Sequence, residues 1–250
     1  MTKQDFISEE KLTVSTNSQK VDFISDDQYN LMNLVGIQHN ELLTMLMQNQ
    51  TDSIDKNIQM TAKWYSKLDG GFINTFDKTF IDKLQLEANK VITNLQNSNN
   101  SIFDVLEGIK MTNPCKQELK WLLNLILMSG GQNNIISSLE ASRSWEKRIM
   151  STDWVAQERT VLLSALSTAR YSAHYWLNID KGDDEINDGI GPKASKKKCN
   201  KKTAAVCADV AGCIVGGFAG GFITGGNIVG IQVGATIVGA TCSGIVRGRK

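Results

Sequence analysis

The feature that most constrains the fold is a run of 44 residues, Thr203 to Val246, that carries almost no charge. Asp209 is its only charged residue, and 12 of the chain's 21 glycines lie between Thr203 and Lys250. A membrane-spanning helix needs about 20 apolar residues, so the run is long enough for two. Such a segment must be buried, either in a protein core or in lipid.

The glycines of this run recur every four residues, which places them on one face of a helix. There they would let a second helix approach closely. An interior glycine costs a helix about 1 kcal/mol in water, whereas in lipid the backbone has no partner except itself. The spacing therefore predicts a glycine-zipper hairpin for membranes, packed through Gly212, Gly216, Gly217, Gly220, Gly221, Gly225, Gly226, Gly230, Gly234 and Gly239.

The sequence Gly-Gly-Asn at 225–227 divides the run into two arms, 204–224 and 228–246. Two other interpretations stay open: a buried hairpin inside a soluble bundle, and a β-strand over the second arm, where Val229 to Ile237 alternate in character. In a hairpin the basic residues at both ends would lie on one side, next to lipid headgroups. These residues are Lys196, Lys197, Lys198, Lys201, Lys202, Arg247, Arg249 and Lys250.

The balance of basic and acidic residues also changes shortly before the apolar run. Residues 193–250 contain nine lysines and arginines and one acidic residue, whereas residues 1–192 contain 18 basic and 25 acidic residues. Opposite charges allow the two parts to attract each other, and they suit the tail to an anionic membrane surface.

Upstream of the tail the apolar residues follow helical spacing. Amphipathic segments begin near residue 26 and continue at 53–68, 74–97, 101–110, 115–128, 132–149 and 152–178. The predicted organisation is a disordered N-terminus (1–25), a helical domain (26–178), an acidic-to-basic linker (179–202) and the glycine-zipper segment (203–250). The fold class is all-α, a bundle of six or seven helices followed by the apolar hairpin.

Four of the five cysteines, Cys199, Cys207, Cys213 and Cys242, lie in the tail or at its edge. A hairpin folded about Gly226 places Cys242 level with residue 210, so a disulfide to Cys207 or Cys213 could form. The alternative is that these small side chains simply suit tight packing. No close cysteine pair or nearby histidine indicates zinc.

No catalytic motif occurs in the chain. His39, in a polar stripe with Asn40 and Glu41, and His174 are interpreted as structural, and Cys115 is expected to have a lowered pKa at a helix start. Arginines near 143–170 are balanced by neighbouring glutamates, which argues against nucleic acid. The sequence thus predicts neither an enzyme nor a cofactor or metal site.

Two stretches carry a resemblance to known proteins. "VGIQHNELL" (35–43) resembles a G-x-x-HN-x-x-L stretch of uncharacterised bacterial proteins of Bacteroidetes type, and "CADVAGCIVGGFAGGFITGG" (207–226) is similar to glycine-rich peptides of class II and halocin-like bacteriocins. The resemblance implies a bacterial toxin-like precursor whose helical domain masks or escorts a self-associating, membrane-permeabilising tail. An exporter or immunity protein would be its partner.

Two other functions are compatible with the same residues. The chain could be a soluble helical scaffold or binding protein with an anchor or buried hairpin, or an immunity or chaperone partner of a toxin. The start of the sequence lacks the apolar core of a Sec signal peptide, so we expect synthesis in a bacterial cytoplasm, followed by membrane association or export by another route.

Overall fold

The computed structural model describes residues 30–49, 51, 53–68, 78–97, 101–128, 139, 143–178 and 201–248. These residues form eight α-helices, one short 3-10 helix and no strand, so the prediction of an all-α bundle is confirmed. The helices are α1 (Asn33–Asn49), α2 (Ile54–Leu68), α3 (Lys78–Gln96), the 3-10 helix (Ile102–Leu106), α4 (Asn113–Met128), α5 (Arg143–Ser151), α6 (Ala156–Asn178), α7 (Lys201–Ile223) and α8 (Ile228–Gly248).

Two expectations from the sequence are corrected. The helix expected over 101–110 is a 3-10 helix of five residues, which Ser101 begins by accepting a hydrogen bond from the Phe103 amide while its own amide donates to Asp104. The strand considered for the second arm is wrong, because that arm is α8. The N-terminus and most of the linker lie outside the described residues.

The amphipathic helices form because their apolar residues are spaced three and four apart and so share one face. In α3 this face comprises Phe80, Leu84, Ala88, Val91, Ile92 and Leu95, all buried. Pro114 lies in the first turn of α4, where its missing N–H leaves no hydrogen bond unmade.

The last two helices lie at the centre of the bundle. Helix α7 packs on α6, α3 and α4, while α8 packs on α1, α2, α3 and α6. Their apolar side chains belong to the same hydrophobic cluster as those of the preceding helices. The boundary predicted at residue 203 therefore does not separate two cores.

Candidate functional site

The helix pair α7 and α8 is the first component of the site. It runs antiparallel, because Gly212 lies next to Val238 and Gly239, Gly216 next to Gly234, and Gly220 next to Gly230. A methyl group at Gly212 would lie 2.7 Å from the Val238 carbonyl oxygen, and one at Gly216 or Gly220 would overlap a facing backbone carbonyl. The two backbones therefore touch, which only glycine permits at these positions.

The other predicted packing glycines have different neighbours. Gly217 and Gly221 lie between α6, at Val161 and Gln157, and Ile231 of α8, whereas Gly230 faces the side chain of Thr224. Gly239 lies against the Asp209 carbonyl oxygen and the His39 ring. Gly225 and Gly226 are not packing residues: with φ of 66° and 87° they form the turn between the helices, in the left-handed region that favours glycine.

Both helices are long and apolar enough to cross a membrane. In the folded chain, however, 89% of the apolar stretch of α7 and 83% of that of α8 are buried inside the protein. The preceding helices thus cover a segment that has the length and composition of two membrane spans.

A fully buried polar group, the Asp209 cluster, links the helix pair to its cover. We define it as Asp209 of α7 with His39 of α1 and Ser172 and Trp176 of α6. The Asp209 carboxylate lies 2.8 Å from His39 Nε2 and accepts hydrogen bonds from Trp176 Nε1 at 2.8 Å and from the Ser172 hydroxyl. The one charge in the apolar run is therefore compensated by side chains of two covering helices.

The geometry around His39 favours its protonated form. Asn40 donates its amide to the Tyr171 carbonyl, so its oxygen faces His39 Nδ1 at 3.1 Å. Each ring nitrogen then faces an acceptor, an arrangement that favours the protonated ring, which donates from both nitrogens. Burial lowers the pKa of His39, but the charge and hydrogen bond of Asp209 outweigh burial and raise the pKa above its ordinary value. His39 and Asp209 form a buried ion pair.

The His39 pair should make stability depend on pH. Folding favours protonated His39, so its contribution is complete below the unfolded pKa of about 6.5 and is lost as pH rises through the raised folded pKa. We expect the free energy of unfolding of the wild type to fall above pH 6.5, by at most about 1.4 kcal/mol per pH unit. Urea unfolding from pH 6 to 9 should show a flatter dependence in His39→Gln, and equal slopes would contradict the ion pair.

The sequence stretch around His39 packs α1 closely against α6. The expectation that His39 lies in a polar stripe is wrong, since it is fully buried. Gly36 allows α1 to approach α6, because a methyl group there would lie 2.5 Å from the Tyr171 ring and 2.6 Å from Ser167 Oγ. This close approach brings His39 within reach of Asp209.

The cysteines are packing residues where they are described. Cys213 and Cys242 carry buried thiols and are not joined to each other, and Cys213 accepts a hydrogen bond from Thr168 of α6 at 3.4 Å. Cys207 is also buried, while Cys199 lies outside the described residues. The expectation for Cys115 is wrong: burial, followed by the charges of Glu158 and Glu118, raises its pKa.

The basic residues mark one end of the helix pair. Lys201 begins α7 and Arg247 lies in the last turn of α8, so the two are neighbours in an antiparallel arrangement. The Lys202 side chain is buried in this form rather than presented to solvent. Lys196, Lys197, Lys198, Arg249 and Lys250 fall outside the described residues.

Two ion pairs outside the Asp209 cluster link neighbouring helices. Arg170 forms a buried ion pair with Glu146 at 3.0 Å, and Arg148 pairs with Glu118 at 2.7 Å on the surface. Over the described ranges, no three His, Cys, Asp or Glu side chains are grouped as a metal site would require.

No protein-family model, curated protein or solved structure matches the chain. The resemblances to bacterial precursors and bacteriocin peptides therefore stay predictions.

Proposed function

We propose that the chain is a toxin-like, non-enzymatic protein that carries a membrane-permeabilising helix pair in a masked, water-soluble form. The observation that supports this most is the burial of two helices of membrane-spanning length beneath five other α-helices, α1, α2, α3, α4 and α6. Inserting the pair would require α7 and α8 to leave α1 and α6 and to exchange protein contacts for lipid.

Two properties of the pair favour this exchange. The glycine contacts that bring the two backbones together, at Gly212, Gly216 and Gly220, lie within the pair, so they would be retained when the covering helices separate. Between Asp209 and Arg247 the pair carries no charged side chain. Most of its buried side chains are apolar, and a hydroxyl such as that of Thr236, which donates to the Gln232 carbonyl of its own helix, could face lipid with its hydrogen bond made.

A disulfide that ties α7 to its cover tests the proposal. Thr168→Cys would place a thiol beside Cys213, since the Thr168 oxygen lies 3.4 Å from the Cys213 sulfur. Dye release from vesicles of phosphatidylcholine and phosphatidylglycerol should be abolished in the oxidised variant and restored by reductant. A synthetic peptide of residues 203–250 serves as the unmasked reference.

Thr168→Ser is the matched control, because it keeps the hydroxyl but cannot form the bridge. Given the same oxidant, it should release dye like the wild type, and mass spectrometry should confirm the bridge in Thr168→Cys alone. Equal dye release by oxidised Thr168→Cys and wild type would show that α7 need not leave α6, and it would overturn the proposal.

The second candidate is a soluble scaffold whose glycine-rich pair is simply its core. The continuity of α7 and α8 with one hydrophobic cluster favours it. On this view neither the full chain nor the peptide releases dye, and deletion of 203–250 unfolds the remaining helices.

A further inference from the structure

The end of the helix pair opposite the basic residues is formed by a hydrogen-bonded, uncharged turn. Thr224 donates to the Gly220 carbonyl through its amide at 3.1 Å and its hydroxyl at 2.8 Å. The Gly226 amide donates to Gly221 at 2.7 Å, and the Asn227 side chain begins α8 by accepting from the Val229 amide at 2.9 Å. The turn is thus a defined structural feature.

This turn projects from the protein and carries large apolar side chains. Phe222 is 80% exposed and Ile228 is 51% exposed, and no atom outside the immediate chain lies within 4 Å of a methyl group placed at Gly225 or Gly226. We call residues 222–228 the tip. Between Asp209 and Arg247 the sequence contains no charged residue, so the tip can enter lipid without burying a charge.

The length of the helices and the basic residues at one end of the pair predict its orientation in a bilayer. A helix of 23 residues such as α7 is about 34 Å long, close to the roughly 30 Å of a bilayer's hydrocarbon core. The end of α7 that is opposite the tip carries Lys201 and Lys202, beside Arg247 of α8. Basic side chains are stabilised at anionic headgroups and resist transfer across the core.

We propose that the tip is the surface by which the folded chain first binds a lipid bilayer, and that the helix pair then enters tip first while its basic end stays on the side of entry. This inference rests on the proposed function and specifies its membrane contact. The bilayer is the chosen occupant because the tip is uncharged and continuous with two helices apolar enough to span it.

The test replaces the exposed apolar residues of the tip by aspartate. Phe222→Asp/Ile228→Asp is compared with Met128→Asp/Leu86→Asp, whose targets are 83% and 48% exposed and lie on α4 and α3. The two variants therefore add the same charge at equally exposed apolar positions. Co-sedimentation with phosphatidylcholine and phosphatidylglycerol vesicles and dye release are measured, with circular dichroism as a check of folding.

We expect the tip variant to lose at least tenfold in vesicle binding and dye release while the control variant behaves like the wild type. Equal activity of the tip variant and wild type, or an equal loss in both variants, would overturn the role of the tip. A wild-type dimer that becomes monomeric in the tip variant would instead assign the tip to self-association. Failure of the wild type and of the 203–250 peptide to act on vesicles would count against the proposed function itself.

A separate experiment measures which end of the helix pair crosses the bilayer. A biotin is attached at Asn227→Cys or at Lys201→Cys, each in a Cys199→Ser background, and vesicles enclose streptavidin. Because the described cysteines are buried, the introduced thiol reacts first. Capture of biotin at 227 but not at 201 is expected, and capture at 201 alone would overturn tip-first entry.

Discussion

Replacing Gly220 with alanine is expected to destabilise the folded chain by about 3 kcal/mol, although the substitution adds one methyl group to a helix. That methyl would overlap the Gly230 carbonyl oxygen, and a backbone carbonyl cannot rotate away as a side chain can. The helices would have to separate along their whole contact. For a chain of this size, about 3 kcal/mol lowers the melting temperature by roughly 6–12 °C.

Gly244→Ala is the matched control because it makes the same change within the same helix pair. A methyl group there would meet its nearest neighbour, Leu46 Cδ1, at 3.7 Å, an ordinary contact. Alanine is about 1 kcal/mol better than glycine inside a helix, so Gly244→Ala should raise the melting temperature. If thermal unfolding shows Gly220→Ala to be as stable as Gly244→Ala, the direct backbone contact between α7 and α8 is wrong.

The sequence was sufficient to predict that glycines four residues apart share a helix face and that the chain reverses at 225–227. The structure adds which glycines meet, since Gly216 and Gly220 face Gly234 and Gly230. Gly225 continues the same spacing but lies in the turn. Spacing cannot distinguish a packing glycine from one needed for a positive φ.

What covers the pair could not be predicted. An apolar helix of about 20 residues has the same composition in a protein core as in lipid, because both environments exclude water. The packing of α1, α3 and α6 against the pair decides it, and α1 and α3 lie far from the pair in sequence. Likewise Asp209 is visible as the only charge of the run, but its partner His39 lies 170 residues upstream, and no local spacing connects them.

Replacing Asp209 with leucine should have the largest effect on membrane activity. In the folded chain the substitution removes the acceptor of His39, Ser172 and Trp176. Breaking a buried ion pair from one side typically costs about 3–5 kcal/mol. In the membrane it removes a charge that costs roughly 2.5–3.5 kcal/mol near the centre of a spanning helix. Both changes favour insertion over the folded form, so the full chain should release dye faster than the wild type.

His39→Leu separates the two contributions, because it breaks the same ion pair but leaves Asp209 in α7. Its stability in urea should be close to that of Asp209→Leu, whereas its dye release should be slower, since the carboxylate must still enter lipid. The double variant leaves no unpaired charge in the cluster and should recover part of the lost stability. Equal dye release by the two single variants at equal stability would mean that Asp209 affects only folding. Faster dye release by Asp209→Leu than by His39→Leu would indicate that the Asp209 carboxylate opposes entry into lipid and so holds the helix pair in its soluble form.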